Sequence, residues 1–366
     1  MKIKEVIRFL EQVAPPSYQE SYDNAGLITG DPQAEVSGAL LSLDCTEVIV
    51  QEAIDKGCNL IIAHHPIVFR GLKSLTGRNY VERTVIKAIK ADIAIYAIHT
   101  NLDHVHTGVN SMICRRLGLQ NARILQPKSE ILSKITFFVP TADTDKVLEA
   151  LYATGAGQIG NYSHCSFRVE GTGTFKPGEA ANPHIGETGG AMERVQENRV
   201  ELMFPSHLSG AVINALQEAH PYEEVAYYLH SLQNKNQEVG AGMIAELAEP
   251  MDELDFLRHI KQSMQASVIR HTALRGKKIK KVAVCGGAGG FLLSTAIGRG
   301  ADIFITADYK YHEFFDADDR IIIADIGHYE SEQFTKELLF ELLSENFANF
   351  TPRLSEVNTN PINYFI

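Results

Sequence analysis

NLIIAHHPIVF, residues 59–69, is an apolar run that stops on two adjacent histidines and a proline. A short apolar run bounded by polar residues reads as a strand buried on both faces. The same form recurs on either side. GALLSLD (38–44) and DIAIYAIHT (92–100) read as further buried strands, with EVIVQEAIDKG and YVERTVIKAIK as the helices between them. Strand and helix alternating in this way predict βαβ units, hence an α/β fold with a mostly parallel sheet. The last third repeats the pattern in KKVAVCGG (280–287), DIFITAD (302–308) and RIIIADIGH (320–328), with GFLLSTAIGRG and SEQFTKELLFELL as helices.

Residues 127–235 read differently. KITFFVP (134–140), a helix from Asp143 to Ala153, HCSFRVEG (164–171), RVELMFP (199–205), a helix from Ser209 to Ala219 and EEVAYYLHSL (223–232) predict a βαββαβ unit. That is an inserted ferredoxin-like α+β domain. Its stretch GTGTFKPGEAANPHIGETGGAMERV (171–195) is a long Gly- and Pro-rich loop, which in a compact domain is functional or mobile. The polar NKNQEVG (234–240) reads as the connection back. The outer domain is then discontinuous, 1–126 and 236–366.

Composition narrows the function. A chain of 366 residues that is 45% hydrophobic has enough apolar side chains for two cores. With 34 basic and 45 acidic residues its net charge is -11, which repels nucleic-acid phosphates and anionic membranes. Cys45, Cys58, Cys114, Cys165 and Cys285 form no CxxC pair, so neither a zinc knuckle nor a redox motif is present and reduced thiols are expected. The opening MKIKEVIRFLEQVAPP lacks the continuous apolar run of a secretory signal, and no segment is long and apolar enough for a membrane span. A cytoplasmic location follows as an expectation.

The candidate chemistry sits where strands stop. Pro66 holds His65 extended, and adjacent extended residues point to opposite sides. His64 and His65 are thus poorly placed to chelate one ion together, but each can address one of two ions. By itself the dipeptide says little, because 14 histidines in 366 residues supply about half an HH pair by chance. Its company raises its value. Asp103 follows the next strand, and the carboxyl ends of parallel strands are where open α/β sheets gather ligands. In DIGHYESE, His328 ends a third strand, and Glu332 four residues on shares its helical face. Three imidazoles and two carboxylates suit zinc, iron or manganese, and a carboxylate able to bridge holds two cations about 3.5 to 4 Å apart.

SYDNAGL (21–27), LSLDCTEVIVQEAI (41–54), IIAHHPIVF (61–69), HTNLDHV (99–105), VCGGAGG (284–290), ITADYKYHEFFDA (305–317) and DIGHYESE (325–332) together resemble the NIF-three-like family, also catalogued as GTP cyclohydrolase 1 type 2 homologues. The resemblance runs in order over essentially the whole chain, and the middle resembles the PII- or CutA-like domain of longer bacterial members. It implies that His64, His65, Asp103, His328 and Glu332 ligate a dinuclear metal centre, zinc first, with iron or manganese as alternatives. It also implies a ring-shaped homohexamer with the centres facing an internal cavity. TAD (306–308) stands where TGD is usual and AGG (288–290) where SGG is usual, neither at a proposed ligand.

Two divalent ions in such a site suit hydrolysis, either ring opening of a purine nucleotide or cleavage of a phosphoester. His99, Asp308 and His312 are the candidate catalytic helpers, able to orient a ligand or carry a proton. Gly286, Gly287, Gly289 and Gly290 could cradle a phosphate, but their spacing matches neither GxGxxG nor the P-loop, so tight packing of strand on helix is the expectation. No cluster of Lys or Arg for a triphosphate is evident, which leaves a second class open: a non-enzymatic metal-binding regulatory or scaffold protein. Expected partners are a small molecule, with a nucleotide as one option, and further copies of the chain.

Overall fold

A computed structural model of the chain describes residues 1–347, 350 and 352–365. The chain divides into two compact units, Met1–Pro127 with Gln237–Ile366, and Lys128–Asn236.

The first unit is built on two sheets. In one, the order is Gly26–Thr29 (β1), Ala94–Ala97 (β4), Leu60–Ala63 (β3), Ala39–Ser42 (β2) and Arg353–Leu354 (β15). Its pairs β4–β3, β3–β2 and β2–β15 are parallel, and β1 runs antiparallel at the edge. Each of β2, β3 and β4 is buried at all four positions, as expected of strands covered on both faces. Leu40, Ile61 and Ile95 on them pack with Ile49, Val50, Val85 and Ala88 from the helices Glu47–Asp55 and Tyr80–Lys90. The second helix starts where the Asn79 side chain accepts the Glu82 N–H at 2.9 Å, an N-cap that satisfies an otherwise unpaired donor.

In the other sheet the order is Arg270–His271 (β11), Ile322–Asp325 (β14), Ile303–Ala307 (β13), Lys278–Ala288 (β12), Asn236–Asp252 (β10) and Gln120–Lys128 (β5). Here β14–β13 and β13–β12 are parallel, while β11–β14 and β12–β10 are antiparallel. The polar NKNQEVG is where the chain passes from the second unit back to the first, at Asn236/Gln237, and from Asn236 on it is already the 17-residue strand β10. The apolar run that follows it pairs Met243–Ala245 with Val282–Val284, and this tertiary ladder overrides the local polar composition. Phe304, Ile323, Ala283 and Leu292 form the core beneath this sheet.

The second unit is Leu132–Pro140 (β6), helix Thr144–Ala153, Phe167–Phe175 (β7), Glu193–Pro205 (β8), helix Ser209–Ala219 and Tyr227–Leu232 (β9). Its sheet has the order β7-β8-β6-β9, and all three pairs are antiparallel. Ile135, Phe137, Val200 and Phe204 face Val147, Leu151, Val212 and Leu216 of the two helices in a core of its own. Among the described residues no helix is long and apolar enough to cross a membrane.

Candidate metal centre

Each candidate ligand is fixed by the backbone just past a strand. After β3, the His64 N–H donates to the Ser42 carbonyl at 3.2 Å and the His65 N–H to the Leu43 carbonyl at 2.9 Å, so both histidines stay on the ladder to β2. After β4 the short helix Thr100–His104 carries Asp103, with His99 at its start. After β14, Gly327 at φ 94° turns the chain into the helix His328–Glu332, whose two ends meet as His328 Nε2 and Glu332 Oε2 at 3.0 Å.

Four imidazoles are oriented through Nδ1. His64 Nδ1 lies 2.8 Å from the Ile98 carbonyl, and His65 Nδ1 2.8 Å from Asp44 Oδ1. His328 Nδ1 lies 2.6 Å from Asp308 Oδ2, and His99 Nδ1 2.7 Å from Asp23 Oδ1. An Nδ1 that donates to such an acceptor leaves Nε2 with its lone pair for a ligand. A backbone carbonyl or carboxylate behind each ring is the usual support of a metal-binding histidine.

The Nε2 atoms converge on Glu332. Its Oε2 lies 2.9 Å from His65 Nε2, 3.0 Å from His328 Nε2 and 4.0 Å from His64 Nε2, and Asp103 Oδ1 is 3.5 Å from His64 Nε2. His64 Nε2 and Asp103 Oδ1 are fully buried with no hydrogen-bond partner among the described residues. Buried polar atoms are rarely left so, and two orphaned acceptors aimed into one cluster suit a cation. Among the described residues three donor groups could hold an ion: His65, His328 and Glu332; His64, Asp103 and Glu332; and His64, His65 and His99. Neutral imidazoles with carboxylates suit zinc, iron or manganese.

Charge points the same way. Burial pushes the Asp103 carboxyl well above its usual range, and the neighbouring Glu332 adds to the push. Burial would raise Glu332 too, but His328 and His65 outweigh it and hold that carboxyl well below its usual range. Burial lowers His64 to about 3, so its ring is neutral at pH 7. Burial would also lower His65 and His328. Hydrogen bonds to Asp44 and Glu332 instead raise His65 to about 9, and the charge of Glu332 with the bond to Asp308 raises His328 to about 11. In the metal-free protein, protons on these two rings thus balance the carboxylates, the role that cations would take over.

The cluster opens into a cavity of about 750 Å³. Tyr22, Phe69 and Phe291 are exposed rings on its wall, and no lysine or arginine is among its described lining residues. The glycine run closes another side, and three of its amides are taken. The N–H groups of Gly286, Gly287 and Gly289 donate to Asn110 Oδ1, Ser331 Oγ and Thr306 Oγ1 at 3.0, 3.0 and 2.9 Å. At Gly287, where φ is +61°, a Cβ would lie 2.6 Å from Glu332 Oε1. The run makes room for Glu332 rather than for a phosphate.

His64, His65, Asp103, His328, Glu332 and His99 are therefore brought together, with Asp308 behind His328. His312 is not. It is exposed in the turn Tyr311–Ala317, with ring contacts to Tyr311 and Phe315, away from the cavity wall. Sequence reasoning missed Asp44 and Asp23, the partners of His65 and His99. Both lie in the conspicuous runs LSLDC and SYDNAGL, and Asp44 ends an apolar strand as His64 does.

Fold and cluster together define a class: a mixed α/β protein with a His/Glu group able to bind a metal ion at its strand ends. Within that class the chain belongs to the Duf34/NIF3 (NGG1p interacting factor 3) family, whose model matches residues 1–361. It is similar to a Halalkalibacterium halodurans protein named GTP cyclohydrolase 1 type 2 homolog, 40% identical over 364 residues and covering 98% of each chain. A Bacillus subtilis protein of the same name is 37% identical over 367 residues, covering 99% of this chain and 98% of its own. The crystal structure of a Bacillus cereus protein related to NIF3 superposes with a TM-score of 0.87 at 39% identity, over 100% of this chain and 99% of that one.

Proposed function

We propose that His64, His65, Asp103, His328 and Glu332 hold two divalent ions, with zinc first and iron or manganese as alternatives. We infer further that the chain is a metal-dependent hydrolase of a nucleotide-like or phosphoester substrate. One observation carries the reading: Glu332 belongs both to the group with His65 and His328 and to the group with His64 and Asp103. A carboxylate shared by two donor sets would bridge two ions, and in these two sets the adjacent histidines fall one to each, although both also belong to the third set with His99. Bound divalent ions supply Lewis acidity toward a carbonyl or phosphoryl oxygen and a nucleophile at neutral pH. The chain's own residues do the rest. His99, oriented by Asp23, is the candidate proton carrier at the cavity wall, and Asp308 is a positioning residue for His328. His312, out on the surface, has no part in this assignment.

The name GTP cyclohydrolase 1 type 2 homolog on the relatives supports ring opening of a purine nucleotide as the first reaction to try. A second reading, a non-enzymatic metal-binding regulatory or scaffold protein, is favoured by the absence of lysine and arginine from the described cavity wall. The outer unit we take as one discontinuous α/β domain around two parallel cores. We take 127–235 as a ferredoxin-like insert of the PII/CutA kind, which the βαββαβ order and the antiparallel sheet support. A cytoplasmic homohexamer is part of the same proposal.

The test is protein reloaded with zinc or manganese and incubated with nucleotides, GTP among them, and with phosphoesters, with products read by mass spectrometry. A product formed by the loaded chain and lost in Glu332→Gln is expected. No product from fully loaded protein across the panel would favour the non-enzymatic reading.

A further inference from the structure

The Lys128–Asn236 unit has a cavity of its own, of about 420 Å³. Its roof is the Gly- and Pro-rich loop between β7 and β8, and that loop is tied down. The Asn182 N–H donates to Glu223 Oε1 at 2.8 Å, the Thr188 hydroxyl to the Ala181 carbonyl at 2.9 Å and the Gly189 N–H to the Gly178 carbonyl at 3.2 Å. A loop stitched in this way keeps a preformed pocket of the size that takes a small molecule.

At its base sits Glu197, only 8% exposed. The Tyr222 hydroxyl donates to its Oε1 at 3.0 Å, whereas its Oε2 takes no hydrogen bond from the described residues. Burial, with Glu197 alongside, pushes the Tyr222 hydroxyl up, so it remains a donor. The carboxylate is seated against bare backbone: a Cβ on Gly173 would lie 2.0 Å from Glu197 Oε2. Aromatic rings surround the Tyr222 ring, with centroids of Phe175 at 5.7 Å, His220 at 5.0 Å and His184 at 6.2 Å. Glu223 and Glu224 also line the cavity, against Lys176 as the one lysine or arginine among its described lining residues.

A carboxylate this little exposed, with one oxygen that takes no hydrogen bond from the described residues, favours a positive partner in the cavity. Metal ions fit poorly here. No group of three metal donors among the described residues includes Glu197, Glu223, Glu224 or His184. His220 is occupied at both nitrogens, Nε2 by the Phe138 carbonyl at 2.8 Å and Nδ1 by the Tyr222 N–H at 3.1 Å. Aromatic faces beside a carboxylate suit instead a flat organic cation, which pairs with the oxygens through N–H donors and lies against the rings. We propose that this cavity binds a small organic cation with an amidinium or guanidinium head, seated on Glu197 and packed against Tyr222 and Phe175. Nothing in this inference depends on the metal centre.

The test uses the full chain and benzamidine as the probe, with neutral benzamide and anionic benzoate as shape controls, read by calorimetry and saturation-transfer NMR. One benzamidine per chain is expected, with each control weaker by at least about tenfold, the scale of one charged hydrogen bond. Glu197→Gln should weaken benzamidine by a similar factor and Phe175→Ala by several-fold, while Glu332→Gln should bind it like the parent. Absence of benzamidine binding, equal binding of a control, or affinity unchanged in Glu197→Gln would overturn the proposal. Loss of binding in Glu332→Gln would place the probe in the other cavity and overturn it too. Should Glu197→Gln not fold, the comparison of the three probes on the parent chain and on Phe175→Ala decides.

Discussion

Glu332 and Glu197 are both buried glutamates on cavity walls, one in each unit, and their neighbours differ. Three imidazole nitrogens lie within 4.0 Å of Glu332 Oε2, each ring braced from behind. Glu197 has one tyrosine hydroxyl and a set of aromatic faces. A carboxylate alone therefore says little about its ligand. Convergent, pre-oriented nitrogen donors select a divalent ion, and flat rings without convergent donors select an organic cation.

The contrast can be broken most sharply at Glu332. Glu332→Gln keeps size and helix propensity nearly constant, so circular dichroism should not change. Removing the shared carboxylate would leave the two proposed cations with less negative charge between them. At about 4 Å and an effective dielectric constant near 20, even two unit charges repel by roughly 4 kcal/mol. At least one of the two ions should be lost, with any hydrolytic activity. A fully loaded Gln variant would remove Glu332 from the centre.

Next in size is the response to pH. Without metal, His65 (about 9) and His328 (about 11) hold protons at pH 7, and a histidine must be neutral to ligate. Loading should release protons, and affinity should fall as pH drops from 8 to 6, by about tenfold per unit for each proton displaced. Calorimetry in two buffers of different ionisation enthalpy counts them. No proton release on loading would contradict the assignment of these two rings.

Asp308→Asn should do less. It removes the charge behind His328 and leaves the ligands in place, and such supports are worth about 10- to 100-fold in metal affinity. An unchanged affinity would make Asp308 a surface carboxylate. The smallest effect is expected from excising residues 128–236 and closing the gap with a short linker. Metal content should not change, because every proposed ligand lies outside the excised span. A folded excision variant unable to bind metal would break the separation of the two units.

The features legible in the sequence were those carried by local pattern. Short β-branched apolar runs such as LIIA and IIAD read as strands buried on both faces, and the four-residue step from His328 to Glu332 puts both on one helix face. Features set by distant pairing were not legible. The strand β10 starts in polar residues and is held by its ladder to β12. The support of His64 is the carbonyl of Ile98, which no side-chain pattern reveals. Asp44 and Asp23 look like turn residues until the fold sets them behind His65 and His99. The position of His312 was not legible either: the turn beginning at Tyr311 carries it to an exposed place outside the cavity lining, which its closeness in sequence to a strand end does not reveal.

The most direct test of the central claim is a metal count. Protein stripped with chelator, reloaded with zinc or manganese and freed of excess should hold close to two divalent ions per chain by elemental analysis. One ion or none, in protein shown to be folded, would contradict the two-ion centre.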